Sequence, residues 1–132
     1  MMLFNRIKRL RRPAAIACAI VWISAFVATH LPSEQVIGLN LSDVLLHVLG
    51  YIGLTTAFYL SLVVWGVNRL LRWMLVPVVM GIYGAFDELT QPFFGRQAAW
   101  SDYLANLAGM LLAVAAAECI LALARLIGQA DR

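Results

Sequence analysis

Charge is scarce in this chain: Asp, Glu, Lys and Arg make up 13% of its 132 residues, whereas 63% are hydrophobic. Water-soluble domains carry about 25% charged and about 45–50% apolar residues, so the shortage excludes an ordinary soluble fold. Linkers, internal repeats and low-complexity tracts are also missing. That leaves one domain, with no repeat array and no separate soluble module. Cysteine is limited to Cys18 and Cys119. Both fall toward the cytoplasmic ends of hydrophobic runs, where a disulfide is not expected, and they read as buried, inert thiols. The net charge of +3 is no nucleic-acid signal, because five of the ten basic residues lie in the first twelve positions.

What the chain has in abundance is long apolar runs. A spanning helix needs about 20 mostly apolar residues. Four runs qualify, at 13–29, 44–67, 73–89 and 103–127. They predict an all-α integral membrane bundle of four transmembrane helices occupying the whole chain, 1–132, as one domain.

Loop charge predicts the orientation. Arg6, Lys8, Arg9, Arg11 and Arg12 precede the first run, Arg69 and Arg72 lie between the second and third, and Arg125 and Arg132 are in the tail. The first loop, 30–42, has no Lys or Arg, and the third has only Arg96. Lys and Arg stay on the cytoplasmic side, so both termini are expected inside. The basic start followed by an apolar run also has the layout of a secretion signal. No small-x-small cleavage site follows it, and the segment is read as an anchor.

With that topology, depth can be counted at about 1.5 Å per helical residue. Asp43 stands at the outer mouth of the second span and His47 one turn in; as i and i+4 they share a face, which Tyr51 continues. Asp87 and Glu88 come about 21–23 Å after Trp73, near the outer edge of the hydrocarbon. Gln91 is i+4 from the first and i+3 from the second. Arg96 is in the loop that follows. The fourth span opens with Ser101 as the expected cap, then Asp102, Asn106 and Gly109 at i, i+4 and i+7. Three helices thus each place a polar stripe on the same side of a membrane, where a charged group costs on the order of 3 kcal/mol or more.

Each of these residues also has a plainer reading. Asp43 and Asp102 suit helix amino termini, where a carboxylate is stabilised by about 0.3–1 kcal/mol. His47 reads equally as a satisfied interfacial histidine. Asp87 and Glu88 point about 100° apart on a helix, so one is expected to face the bundle and the other the headgroups. Arg96 suits a snorkelling anchor, yet it is the only basic residue on its side. Taken together, the set favours a polar site. Elsewhere, Trp22, Trp65, Trp73, Trp100 and Tyr103 fit interfacial belts or lipid-facing surface. Gly50, Gly53, Gly81 and Gly84 suit close helix approach. Pro77 is expected in the first turn of its span, where a missing N–H costs least. Glu118, about 24 Å from Asp102 along the helix, is expected to pair with Arg69, Arg72 or Arg125 at the cytoplasmic side.

The order Asp43-x-x-x-His47, Asp87-Glu88-x-x-Gln91, Gly95-Arg96, Asp102-x-x-x-Asn106-x-x-Gly109 resembles the signature of VanZ-like membrane proteins. The resemblance covers roughly 30–113 and is specific in order and spacing. Family members often carry a lysine directly after the first Asp; here that position is Val44, so any role of that lysine is absent. The resemblance implies a small protein of the bacterial inner membrane. Its founding members are associated with low-level resistance to the glycopeptide teicoplanin.

Three functions follow as expectations. The first is an outer-leaflet site, built from Asp43, His47, Asp87, Glu88, Gln91, Arg96, Asp102 and Asn106, that binds a lipid or anionic lipid-linked cell-wall precursor headgroup. Arg96 and two helix amino termini offer positive potential to a phosphate. Four carboxylates oppose it, so protons or a divalent cation are needed for balance. If the site is catalytic, Glu88 or His47 is the best general acid or base. The second is a non-catalytic scaffold or partner-binding protein with a structural polar network. Interhelical hydrogen bonds in membranes average only about 0.6 kcal/mol, so stability alone explains such a network poorly. The third is a small transporter, ranked last because four short helices leave little room for a pathway.

Overall fold

The computed structural model describes residues 2–31 and 42–130. Most of the first loop and the tail residue Arg132, both counted above for charge, lie outside the described residues. Among the described residues the fold is all α: α1 (Met2–His30), α2 (Asp43–Trp65), α3 (Arg69–Thr90) and α4 (Trp100–Ala130), with a short 3-10 turn at Gln91–Phe94. Each helix contributes a stretch long and apolar enough to cross a membrane: Lys8–His30, Asp43–Trp65, Arg69–Phe94 and Trp100–Gln129. Ile16, Ile23, Leu70, Ile82, Leu111 and Leu126 are among many large apolar side chains left exposed. Soluble monomers rarely carry so much contiguous apolar surface, and lipid is what such a surface fits.

The helices outrun the predicted apolar runs. Hydropathy marks where hydrocarbon ends, not where a helix must stop, and Arg, Lys and Leu are good helix formers. The basic segment before Pro13 therefore belongs to α1, and Arg69 and Arg72 to α3. Pro77 consequently lies well inside α3 and not in its first turn. The α2–α3 connection is closed by local chemistry. Gly66, at φ 80°, ends α2 in the left-handed region that glycine adopts without strain, and the Asn68 side chain accepts the Leu71 N–H at 2.8 Å to start α3. Ser42 caps α2 by accepting the Leu45 N–H. Ser101 caps nothing: α4 already begins at Trp100, the Ala99 carbonyl accepts the first helical N–H groups, and the Ser101 hydroxyl donates to Asp102 at 3.2 Å.

α2 is central, packed chiefly on α4 and α1, while α3 leans on α4. The core is Tyr51, Leu54, Tyr59, Val76, Met80, Met110 and Ala117. The close α2–α4 approach runs over Gly109, where an added Cβ would sit 2.4 Å from the Val48 carbonyl oxygen. Gly84 lies against the Tyr51 hydroxyl and the Tyr103 ring. Gly50 and Gly53 face open space, so the close approach expected there is made by Gly109 instead. Trp22 is no belt residue: it packs inward, 4.6 Å from Tyr83 and 5.8 Å from Phe58 between ring centres. Cys18 and Cys119 are free; Cys119 is exposed on the outer face of α4 rather than buried.

At one end of the bundle Glu118 meets Arg69 at 2.8 Å and Arg72 at 3.6 Å, and accepts the Tyr59 hydroxyl. This is the pairing the sequence suggested. The other polar residues gather at the opposite end.

Candidate functional site

Four helix ends build the site. The first turns of α2 bring Asp43 and His47 inward along one stripe. The last turn of α3 brings Asp87 and Glu88. Gln91 starts the 3-10 turn with Pro92 next in it, and Gly95, at φ 77°, reverses the chain so that Arg96 returns over the bundle end. The start of α4 supplies Asp102 and Asn106. His47, Asp87, Glu88, Gln91, Asp102 and Asn106 are all buried. Asp43 remains on the rim.

Arg96 closes that rim. One guanidinium nitrogen stands 2.6 Å from both carboxylate oxygens of Asp43, and the other donates to the Thr29 carbonyl at 3.2 Å. Arg96 was expected as the receptor for an anion. Its charge is instead engaged by Asp43, and the pair ties the end of α1 to the start of α2.

Beneath it a chain of contacts crosses three helices. Glu88 accepts the Ala99 backbone N–H through Oε2 at 3.2 Å and the Asn106 amide through Oε1 at 3.4 Å. With its nitrogen turned to Glu88, Asn106 presents its oxygen to His47, 3.0 Å from Nδ1. An amide oxygen only accepts, so the imidazole carries its proton on Nδ1. The other ring nitrogen, Nε2, has no hydrogen-bond partner and stands 3.8 Å from Asp102 Oδ2.

Asp87 does not reach toward headgroups, as one of the adjacent acids was expected to do. It is fully buried and faces α1: Thr29 donates to its Oδ1 at 2.8 Å, and His30 Nδ1 is 3.8 Å away. His30 was assigned to the first loop by its sequence position; it is the last residue of α1, held by the Phe26 carbonyl and by Thr90, each at 2.8 Å. Thr29, His30 and Thr90 are thus site residues that the sequence reading missed. The available signal was a Thr-His pair ending an apolar run at the same depth as Asp43.

Several buried polar atoms have hydrogen-bonding capacity to spare: His47 Nε2 and the hydroxyls of Tyr51 and Tyr83 have no partner, and Gln91 is buried beside Asp87. Buried polar groups are normally satisfied, so His47 Nε2 is the notable exception at the centre of the cluster. Beside it lies a cavity of about 370 Å³ lined by Ala85, Glu88, Leu89, Ala98, Ala99, Trp100 and Tyr103. Its walls are mostly apolar, and Glu88 is the one acidic residue among them. Leu89 and Trp100 on its border are exposed on the lipid-type surface.

Chemically, the arrangement can orient an imidazole, accept protons at His47 Nε2 or the carboxylates, and hold a cation. No hydroxyl of the described residues stands within hydrogen-bonding distance of His47 Nε2; the hydroxyl–histidine contacts are those of His30 with Thr29 and Thr90. The structure brings together all eight residues singled out from the sequence and adds α1 to the three helices expected. No family model matches the chain, and neither a curated protein nor a solved structure matches it significantly.

Proposed function

We propose that this chain is a VanZ-like protein of the bacterial inner membrane with both termini cytoplasmic. Its buried polar cluster, at the outer leaflet, binds the headgroup of an anionic lipid or lipid-linked cell-wall precursor. The observation that carries the reading is Glu88, which lines an apolar cavity on the membrane face and is hydrogen-bonded through Asn106 to the polar cluster. A ligand seated there would be amphiphilic, with a chain in the cavity and a polar head toward Glu88 and the groups behind it. The topology rests on charge: the basic stretch before Pro13 with Arg69, Arg72 and Arg125 against a far end holding Arg96 alone. The glycopeptide-resistance phenotype implied by the family resemblance fits a ligand of cell-envelope chemistry.

The test is lipid retention. Wild-type protein extracted in mild detergent should carry a phosphate-bearing lipid identifiable by mass spectrometry. Ala85→Trp, which fills the cavity and leaves the polar residues in place, should lose that lipid at unchanged membrane abundance. Equal lipid on both proteins would falsify this reading.

The scaffold reading has one observation in its favour. Arg96 joins Asp43 to the end of α1, which is what a structural clasp does. In that case Arg96→Ala lowers the amount of protein in the membrane and leaves lipid content per chain unchanged.

A further inference from the structure

We infer that His47 Nε2, Asp102 and Asp43 hold one divalent transition-metal ion of the zinc type. The inference rests on the headgroup reading only for its purpose, since the ion supplies the positive charge that a phosphate headgroup needs.

The argument starts at Glu88. Its carboxylate takes the Asn106 N–H, which turns the Asn106 oxygen to His47 and fixes the proton on Nδ1. Metal-binding histidines show this arrangement: one ring nitrogen donates to a carbonyl or carboxylate, so the lone pair of the other points at the ion. Here Nε2 has no hydrogen-bond partner and faces Asp102 Oδ2 across 3.8 Å. In the neutral ring this sets a lone pair opposite a buried carboxylate, an arrangement that a shared cation relieves, whether a proton or a metal ion.

The spacing fits one ion. A ligand atom from each of Asp43, His47 and Asp102 lies within 4.8 Å of the other two. Bonds of about 2.0–2.2 Å to a shared ion set ligand atoms roughly 3–4 Å apart, so only small side-chain adjustments are needed. An imidazole with two carboxylates selects zinc, manganese or iron over magnesium or calcium, which prefer all-oxygen shells.

The charge fits as well. Arg96 is engaged with Asp43, leaving Asp87, Glu88 and Asp102 around a histidine. A bare phosphate would be repelled by that set. A divalent ion at the rim, with three protein ligands and an open position, turns the same cluster into a receptor for a phosphate oxygen. A second group, His47 with Asp87 and Glu88, also lies within 4.8 Å. It is the weaker site, because reaching it through Nδ1 breaks the Asn106 contact.

The experiment uses the full chain in lipid nanodiscs, stripped with a chelator and titrated with Zn²⁺ alone. One zinc per chain is expected, with X-ray absorption showing a single imidazole among oxygen neighbours at about 2.0–2.1 Å. His47→Gln and Asp102→Asn should each abolish the site. Asn106→Ala should weaken it by about 10–100-fold, the usual cost of removing a group that orients a ligand. Glu118→Gln, at the far end, should bind as wild type. Should the His47 and Asp102 variants fail to fold, absorption on wild type and titration of Asp43→Asn, whose side chain is half exposed, decide the matter. Failure of wild type to retain zinc, zinc without an imidazole ligand, or equal binding by folded His47→Gln overturns the site. The two readings fail separately. Zinc bound without any retained lipid sinks the headgroup reading and leaves the ion, whereas lipid retained by a protein that binds no zinc does the reverse.

Discussion

His47 Nδ1 lies 3.0 Å from Asn106 Oδ1, and that contact decides which ring nitrogen faces Asp102. The two residues are 59 positions apart. Their geometry in turn depends on Glu88, which holds the Asn106 amide the right way round. Three helices therefore share the orientation of one imidazole, and the predictions below follow from pulling on that arrangement.

Glu88→Gln should abolish ligand retention and any resistance the protein confers, at near-normal membrane abundance. A glutamine presents an N–H donor of its own and no longer dictates how Asn106 turns. Its neutral side chain costs less in a membrane than a charge. Immunoblotting of membranes beside lipid analysis and susceptibility testing makes the comparison; retained activity, or loss of the protein itself, assigns Glu88 to structure.

Glu118→Gln should show the opposite pattern. Glu118 answers Arg69 and the buried Arg72 at the other end of the bundle. Weakening that pair is expected to cost on the order of 1–3 kcal/mol of stability, the range for a buried group losing its partner. Ligand retention should be unchanged. Thermal unfolding in detergent reads the first effect and mass spectrometry the second.

Gly109→Ala should destabilise by about 1–3 kcal/mol, because its methyl group meets backbone on α2 and cannot be relieved by a rotamer change. Gly50→Ala should be neutral or slightly stabilising, since nothing lies within 4 Å of its new methyl. Similar losses from both would mean that the α2–α4 approach is not where the structure places it.

Thr29→Val should cost about 0.6–1.7 kcal/mol, the span measured for interhelical hydrogen bonds in membranes, because Asp87 loses its short partner on α1. Denaturant unfolding checks this. No change in stability would mean that α1 is not fastened at its end.

Orientation has a direct test. In a background lacking Cys18 and Cys119, a cysteine at Gln97 should react with an impermeant thiol reagent on intact cells, and one at Asn68 should not. Labelling of Asn68 from outside reverses the topology and removes the outer leaflet from the proposal.

The sequence by itself determined the all-α class, the four spans and the common depth of the polar residues. Those properties are local: hydropathy sums over about 20 neighbours, and helical rise converts residue number into depth. Only the tertiary structure decided azimuth and partnership. Adjacent acids 100° apart looked like one inward and one outward residue; with Thr29 at the end of α1 reaching Asp87 and Asn106 of α4 reaching Glu88, both face protein. His30 looked like loop because hydropathy ends there, and became a buried partner of Thr90 because α1 continues to it. Arg96 looked free for an anion until the turn at Gly95 carried it to Asp43. Each of these outcomes depends on residues 53 to 60 positions apart meeting at set angles. Periodicity within one helix carries no information about where its neighbours stand.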